Sequence, residues 1–305
     1  MRGTIAALFA LTAFGLIACA SQPTGTQVAS SPDVRTVKYR GATYTVETAR
    51  DSWRVSPTPY PYEAAPTRSA PSLEGPTIAA AAAAKPKACT AKLPQSDGRT
   101  FHGSAREVPK TTIPEATIEY FSSVTALRKD IRANSDDLDM IDSGISTRCD
   151  EARVDSEKRV VMVLGYLYAA KKEADNDYHL ILGTKNCKNA DCFMTAEVSG
   201  VPRLVKDRTN LAKARDDFED QIADFTPSGG MPGDGAYLRF QPPIPVRVTG
   251  PLFYDADHKI KRDTREGAVG PSYARPSTSW EIHPVVRIEF EPTSNGVPLT
   301  IARLH

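Results

Sequence analysis

Arg159-Val-Val-Met-Val-Leu-Gly-Tyr-Leu-Tyr-Ala-Ala-Lys-Lys-Glu-Ala-Asp-Asn-Asp-Tyr-His-Leu-Ile-Leu182 is the stretch that decides the fold. Residues 159–169 form a long apolar run rich in β-branched side chains, which predicts a strand. Gly165 in its middle predicts a bend or bulge. Residues 177–182 predict a second strand and residues 192–198 a third. Leu211, Ala214, Phe218 and Ile222 then recur at helical spacing among charged residues, which predicts an amphipathic helix of about four turns. The Gly/Pro-rich residues 226–235 predict a loop. Residues 245–254, with an internal Gly250, predict a fourth strand, and residues 279–290 a fifth. Three strands, a helix and two strands is the element order of an OB barrel, whose helix lies between the third and fourth strands. The expected fold is therefore mainly β with one or two helices, a five-stranded OB-like barrel over residues 152–305. The alternative is another small barrel or a sandwich with one helix.

Upstream the pattern weakens. Residues 89–151 predict an N-terminal extension of the folded domain. Within it, residues 111–121 predict an extended segment, and Ser122 or Ser123 a cap for a short helix with Val124, Leu127 and Ile131 on one face. Residues 134–144, with Asp136, Asp137, Asp139 and Asp142, predict a solvated loop. Residues 34–55 alternate around Arg40-Gly41, which predicts a small hairpin that needs something to pack on. Residues 56–78 carry six prolines and predict a semi-extended linker, so that residues 19–88 form a disordered Pro-rich tether with the hairpin inside it.

Residues 1–18 predict an export signal. Arg2 supplies the positive start and residues 5–17 an apolar run too short to cross a bilayer, which takes about 20 residues. The run ends in Leu16-Ile17-Ala18-Cys19, which resembles the bacterial lipobox. That resemblance implies an acylated Cys19 as the mature N-terminus. With no Asp after Cys19, it also implies sorting to the periplasmic face of the outer membrane. A plain secretory signal cut at Ala18 or Ala20 is the alternative. Setting Cys19 aside leaves Cys89, Cys149, Cys187 and Cys192, an even set suited to an oxidising compartment. The expected pairs are Cys187–Cys192 and Cys89–Cys149, one of three possible connectivities.

The chain has 305 residues with 38 basic and 37 acidic side chains, a net charge of +1. Such balance provides no global field for nucleic acid or anionic lipid. Composition excludes collagen, coiled-coil and multi-span membrane classes.

Lys171-Lys172-Glu173-Ala174-Asp175-Asn176-Asp177-Tyr178-His179-Leu180, read with Glu281-Ile282-His283-Pro284-Val285, resembles an uncharacterised bacterial protein family. Its members carry K-x-E-x-D-x-D-x-H-L after a first strand and E-[IL]-H-P-V in the last. The resemblance spans roughly residues 117–290 and implies an OB-like barrel without an established activity.

Lys171, Glu173, Asp177, His179, Glu281 and His283 are thus the candidate binding residues. A Glu/Asp–His network tying strands together accounts for them without any ligand. A binding surface is the second explanation. The third is a metal or acid–base centre built on His179, His258 and His283 with nearby carboxylates. No G-x-S-x-G, H-E-x-x-H or P-loop motif is present, and no nucleophile is singled out. The expected function is an outer-membrane-anchored periplasmic lipoprotein. Its non-catalytic OB-like module, free of cofactors, binds an envelope protein or glycan. The alternatives are a metal-dependent hydrolase using the three histidines, and an oligonucleotide-binding or nuclease-like barrel; the balanced charge and the periplasmic address count against nucleic acid.

Overall fold

The structure is a computed structural model. It describes residues 34–50, 97–103, 105–147, 151–202, 206–233, 235–258, 269–291, 293–294 and 297–298. The export signal, most of the tether, Cys19 and the Cys89–Cys149 pair lie outside the described residues.

The fold is mixed α/β and mainly strands. Nine strands make one mixed sheet. They are β1 (Val34–Tyr39), β2 (Ala42–Arg50), β3 (Ile118–Phe121), β4 (Val160–Lys172), β5 (Tyr178–Gly183), β6 (Phe193–Val198), β7 (Ala236–Tyr254), β8 (Trp280–Ile282) and β9 (Arg287–Phe290). The helices are α1 (Glu107–Lys110), α2 (Val124–Asn134), α3 (Asp137–Asp142) and α4 (Arg208–Ile222).

Five of the strands close on themselves. β4 pairs with β5, β5 with β6, β6 with β8, β8 with β7, and β7 with β4. Every link is antiparallel except β6–β8, which is parallel. Strand alternation then sorts side chains to two sides of the ring. Val161, Val163 and Leu167 of β4 point into one buried core. So do Leu180 and Leu182 of β5, Met194, Ala196 and Val198 of β6, and Trp280 and Ile282 of β8. Phe218 and Ile222 of α4 belong to the same core, with Phe225 just beyond the helix. The other side of the same strands carries His179, Glu197 and Glu281, with Asp255 just past the end of β7, and these are buried as well.

Three expectations need correction. The acidic stretch is not all loop: α3 forms there, because Asp136 caps it and Asp139 answers in a capping box. Acidic side chains favour a helix N-terminus, where free N–H groups and the dipole attract negative charge. The fifth strand is broken into β8 and β9, which pair with different stretches of β7. The fourth strand begins nine residues earlier than expected and runs for 19 residues. Its first part, despite two prolines, joins β2 on one side and β4 on the other.

That pairing also gives the hairpin its support. Arg40 and Gly41 turn β1 into β2 with φ of 44° and 86°, the left-handed pair a tight two-residue turn requires. Val37, Tyr44 and Val46 bury into the ring's core. Gly165 and Gly250 mark close approaches. A Cβ at Gly165 would stand 2.9 Å from Val124 of α2, and one at Gly250 would collide with the carbonyl of Pro284. Ser123 caps α2 by accepting from Ala126 N at 3.1 Å. The Cys187–Cys192 disulfide is formed, with Cα atoms 5.7 Å apart, in the loop that joins β5 to β6. Among the described residues, no helix is long and apolar enough to cross a membrane.

Candidate functional site

The charged strip lies on the side of β5, β6, β8 and β7 that faces away from the core. Register brings its members together. Lys171 stands opposite His179, and His179 opposite Glu197, across three adjacent strands. Thr195 of β6 and Phe253 of β7 stand opposite Glu281 of β8. His283 follows β8, fixed where its N–H donates to Pro251 O at 2.9 Å. Asp177 and Glu173 flank the tight turn between β4 and β5. There Asn176 takes a φ of 73°, and Asp175 Oδ1 accepts from Asp177 N at 3.2 Å. Asn tolerates this left-handed backbone and Asp caps such turns.

The result is an alternating row of carboxylate and imidazole. Asp177 Oδ2 is 3.3 Å from His283 Nε2, and His283 Nδ1 is 2.8 Å from Glu197 Oε2. Glu197 Oε1 is 2.9 Å from His179 Nδ1, and Glu173 Oε1 is 3.4 Å from that same nitrogen. Glu281 Oε2 stands 3.5 Å from His283 Nδ1, and Lys171 Nζ pairs with Glu173 Oε1 at 2.8 Å. All six residues named from the sequence therefore meet. His258 does not join their row: it pairs with Asp255 at 2.6 Å at the end of β7.

Glu197, the hub of the row, was not among the sequence candidates. Its signal was a lone acid in an otherwise uncharged β6, where Phe193 and Thr195 share its side. Lys110, Ser199 and Asp255 were also missed. Lys110 reaches the strip from α1, part of a segment that covers the charged side. That cover is tied down along its length. Phe101 N donates to Val201 O at 3.0 Å, and Asn176 Nδ2 donates to Thr100 O at 2.7 Å. Arg106 makes a two-pronged pair with Glu157 at 2.6 and 2.7 Å. Asp177, His179, Glu197 and His283 are at most 2% exposed beneath it.

Burial on this scale moves protons. It opposes the charge of Glu197, but the positive charge of His283 beside it, with the hydrogen bond from His179, outweighs it and holds that carboxyl well below the usual carboxylate range. Burial opposes the His283 cation too, yet Glu197 and Asp177 hold its ring well above the usual imidazole value. Burial first, then Glu197, pushes Glu281 well up. Burial and then Asp177 push Asp175 up to about 8. Lys110 stays charged against its burial because Asp255, Glu197, Asp177 and Glu281 surround it.

Ser199, His283 and Glu197 stand in the order of a hydrolytic triad, with Ser199 Oγ 2.9 Å from His283 Nε2. The proton direction is wrong for that chemistry. Ser199 Oγ donates to Lys110 O at 2.7 Å, so the ring N–H must donate to Ser199 rather than accept from it. A serine activated as a nucleophile needs the reverse. The arrangement holds protons and positive charge; it does not present an attacking group.

No protein-family model, curated protein or solved structure matches the chain.

Proposed function

We propose that the chain is a lipid-anchored protein of the bacterial envelope, held by an acylated Cys19 at the periplasmic face of the outer membrane. Its OB-like barrel is a non-catalytic module that binds an envelope protein or glycan. The ring order β4-β5-β6-β8-β7, with α4 between β6 and β7, supports the OB-like assignment. The resemblance of the two motif stretches to a family with an implied OB-like barrel points the same way.

One observation carries the non-catalytic half of this proposal: the titratable side chains face one another under a cover. His179, Glu197, Asp177 and His283 neutralise each other at 2.8–3.3 Å, and the hydroxyl of the serine beside them donates to a backbone carbonyl. A catalytic group has to reach a substrate atom. Binding is left to the open surface, which includes a cleft of about 360 Å³ lined by Tyr178, Glu219, Ile222, Thr226, Pro227 and Met231. That volume suits a ligand of a few rings.

Two measurements test the proposal. Cells expressing the full chain are labelled with a fatty-acid probe and fractionated. The label and the outer-membrane position are expected for the wild type and both are lost in Cys19→Ala. Detergent-purified chain is then incubated with isolated cell-wall sacculi, and crosslinked in living cells. Saturable binding to sacculi, or one specific crosslinked envelope protein, is the expected result. An unlabelled wild type removes the anchor. Absence of both binding outcomes removes the module's function.

A further inference from the structure

Asp177, Glu197 and His283 each keep a side-chain atom that is buried and makes no hydrogen bond: Asp177 Oδ2, Glu197 Oε2 and His283 Nδ1. Glu281 Oε2 is a fourth such atom beside them. All four residues are more than nine-tenths buried. A buried polar atom without a hydrogen bond is destabilising, and more so when it is charged. Four together, converging on one ring, are a costly arrangement for a structural network to leave unfinished.

Their geometry shows what would complete them. His283 Nδ1 and Glu197 Oε2 are only 2.8 Å apart, yet they approach too obliquely to form an N–H···O bond. Glu281 Oε2 comes within 3.5 Å of the same nitrogen. Donor atoms bound at about 2.0–2.1 Å around a tetrahedral ion lie roughly 3.3 Å from one another. Asp177, Glu197 and His283 together present three donor atoms within 4.8 Å of one another. We propose that this group, with Glu281 beside it, holds one first-row divalent metal ion of the Zn²⁺ type, in a closed structural site.

The chemistry of the donors fits that class. One imidazole with carboxylate oxygens and no thiolate suits Zn²⁺, Fe²⁺ or Mn²⁺ rather than soft Cu⁺. The site also has its outer supports. His179 Nδ1 stands 2.9 Å from the second oxygen of Glu197, and Ser199 Oγ lies 2.9 Å from His283 Nε2. Such partners orient the ligands of protein metal sites. Full burial leaves no position for a substrate, which is the mark of a structural ion rather than a catalytic one. His258 is not needed, so this ligand set differs from one built on three histidines.

The test uses the full chain, purified without an affinity histidine tag, stripped with chelator and then titrated with Zn²⁺ and, separately, Co²⁺. About one Zn²⁺ per chain is expected. At a free concentration a hundredfold above Kd, the melting temperature should rise by about 5–10 °C. The Co²⁺ form should show the visible absorption of a low-symmetry N/O site. Asp177→Asn and His283→Asn should lose the ion and the spectrum, and Glu281→Gln should weaken both at nearly unchanged side-chain volume. A folded chain that takes up no Zn²⁺, shows no thermal shift and gives no Co²⁺ spectrum overturns the proposal. So does an ion that survives His283→Asn and is lost in His179→Gln, which would place it with Glu173 instead. If every ligand variant fails to fold, the wild-type titration alone decides. Because the site is structural, its failure leaves the envelope-binding reading standing, and sacculus binding by the metal-free chain would show the two apart.

Discussion

Glu157→Ala tests how the cover over the charged strip is held. Glu157 is fully buried, and its carboxylate takes four donors: Arg106 Nη1 and Nη2 at 2.6 and 2.7 Å, and the backbone N–H groups of Val154 and Tyr254, both at 2.9 Å. Arg106 is 1% exposed and stacks 4.8 Å over the ring of Phe253. It directly precedes α1, which carries Lys110. The alanine variant leaves a buried guanidinium with only the Tyr254 and Ala152 carbonyls. Breaking one side of a buried pair costs about 3–5 kcal/mol. For a folded unit of this size each kcal/mol is worth about 2–4 °C, so the melting temperature should fall by roughly 6–20 °C. Urea melts of wild type, Glu157→Ala, Glu157→Leu, Arg106→Met and the double variant Arg106→Met/Glu157→Leu give the assay. The double variant should recover most of the loss, because two apolar side chains leave no stranded charge. Hydrogen exchange should show faster uptake across residues 97–113 in the single variants, with the strands of the ring unchanged. A loss under about 1 kcal/mol for Glu157→Ala, or strict additivity in the double variant, would refute the latch.

Three further outcomes are expected. Gly200→Ala would place a Cβ 2.6 Å from Phe101 Cα and 2.8 Å from its nitrogen, both backbone atoms that cannot swing aside. It should cost about 1–3 kcal/mol in a urea melt, and an unchanged midpoint would mean that residues 97–103 are not docked there. The His258–Asp255 pair makes stability depend on pH in a defined direction. Burial opposes the His258 cation, but the hydrogen bond to Asp255 raises it to about 9, and His258 in turn brings Asp255 to about 2 despite burial. The histidine's contribution is therefore complete below its unfolded value of about 6.5 and lost as pH rises through about 9; that of Asp255 is complete above about 3.8 and lost as pH falls through about 2. His258 is 43% exposed, so its effect should stay near or below about 1 kcal/mol, and a His258→Asn variant with the same alkaline slope as wild type would exclude this pair as the source. Finally, Cys187–Cys192 closes a loop with a sequence separation of 5, which chain entropy values at about 2 kcal/mol. The Cys187→Ser/Cys192→Ser variant should melt about 4–8 °C lower than oxidised wild type, and an identical melt would show that the bridge constrains nothing.

The sequence by itself determined the elements of the ring and their order. A long apolar run rich in β-branched residues marked the strand beginning at residue 160, short mainly apolar stretches those beginning at 178 and 193, and helical spacing of Leu211, Ala214, Phe218 and Ile222 marked α4. It also named six members of the charged strip, since acids and histidines crowded into short motifs stand out from an apolar background. Its errors had local causes. Asp-rich residues read as solvated until the capping box of α3 turned them into a helix start, and two prolines hid the first half of β7.

Only the tertiary structure decided what the strip is. Glu197 and His283 lie 86 positions apart, and nothing short of the parallel β6–β8 pairing brings them within 2.8 Å. Lys110 and Arg106 come from a segment with no strand pattern, yet, latched through Glu157 just before β4, that segment covers the histidines. Proximity between distant residues follows from strand register and closure, which depend on the whole core, and burial follows from what packs on top. Those two quantities fix charge, proton position and the capacity to hold an ion, so they become visible only when the chain is folded.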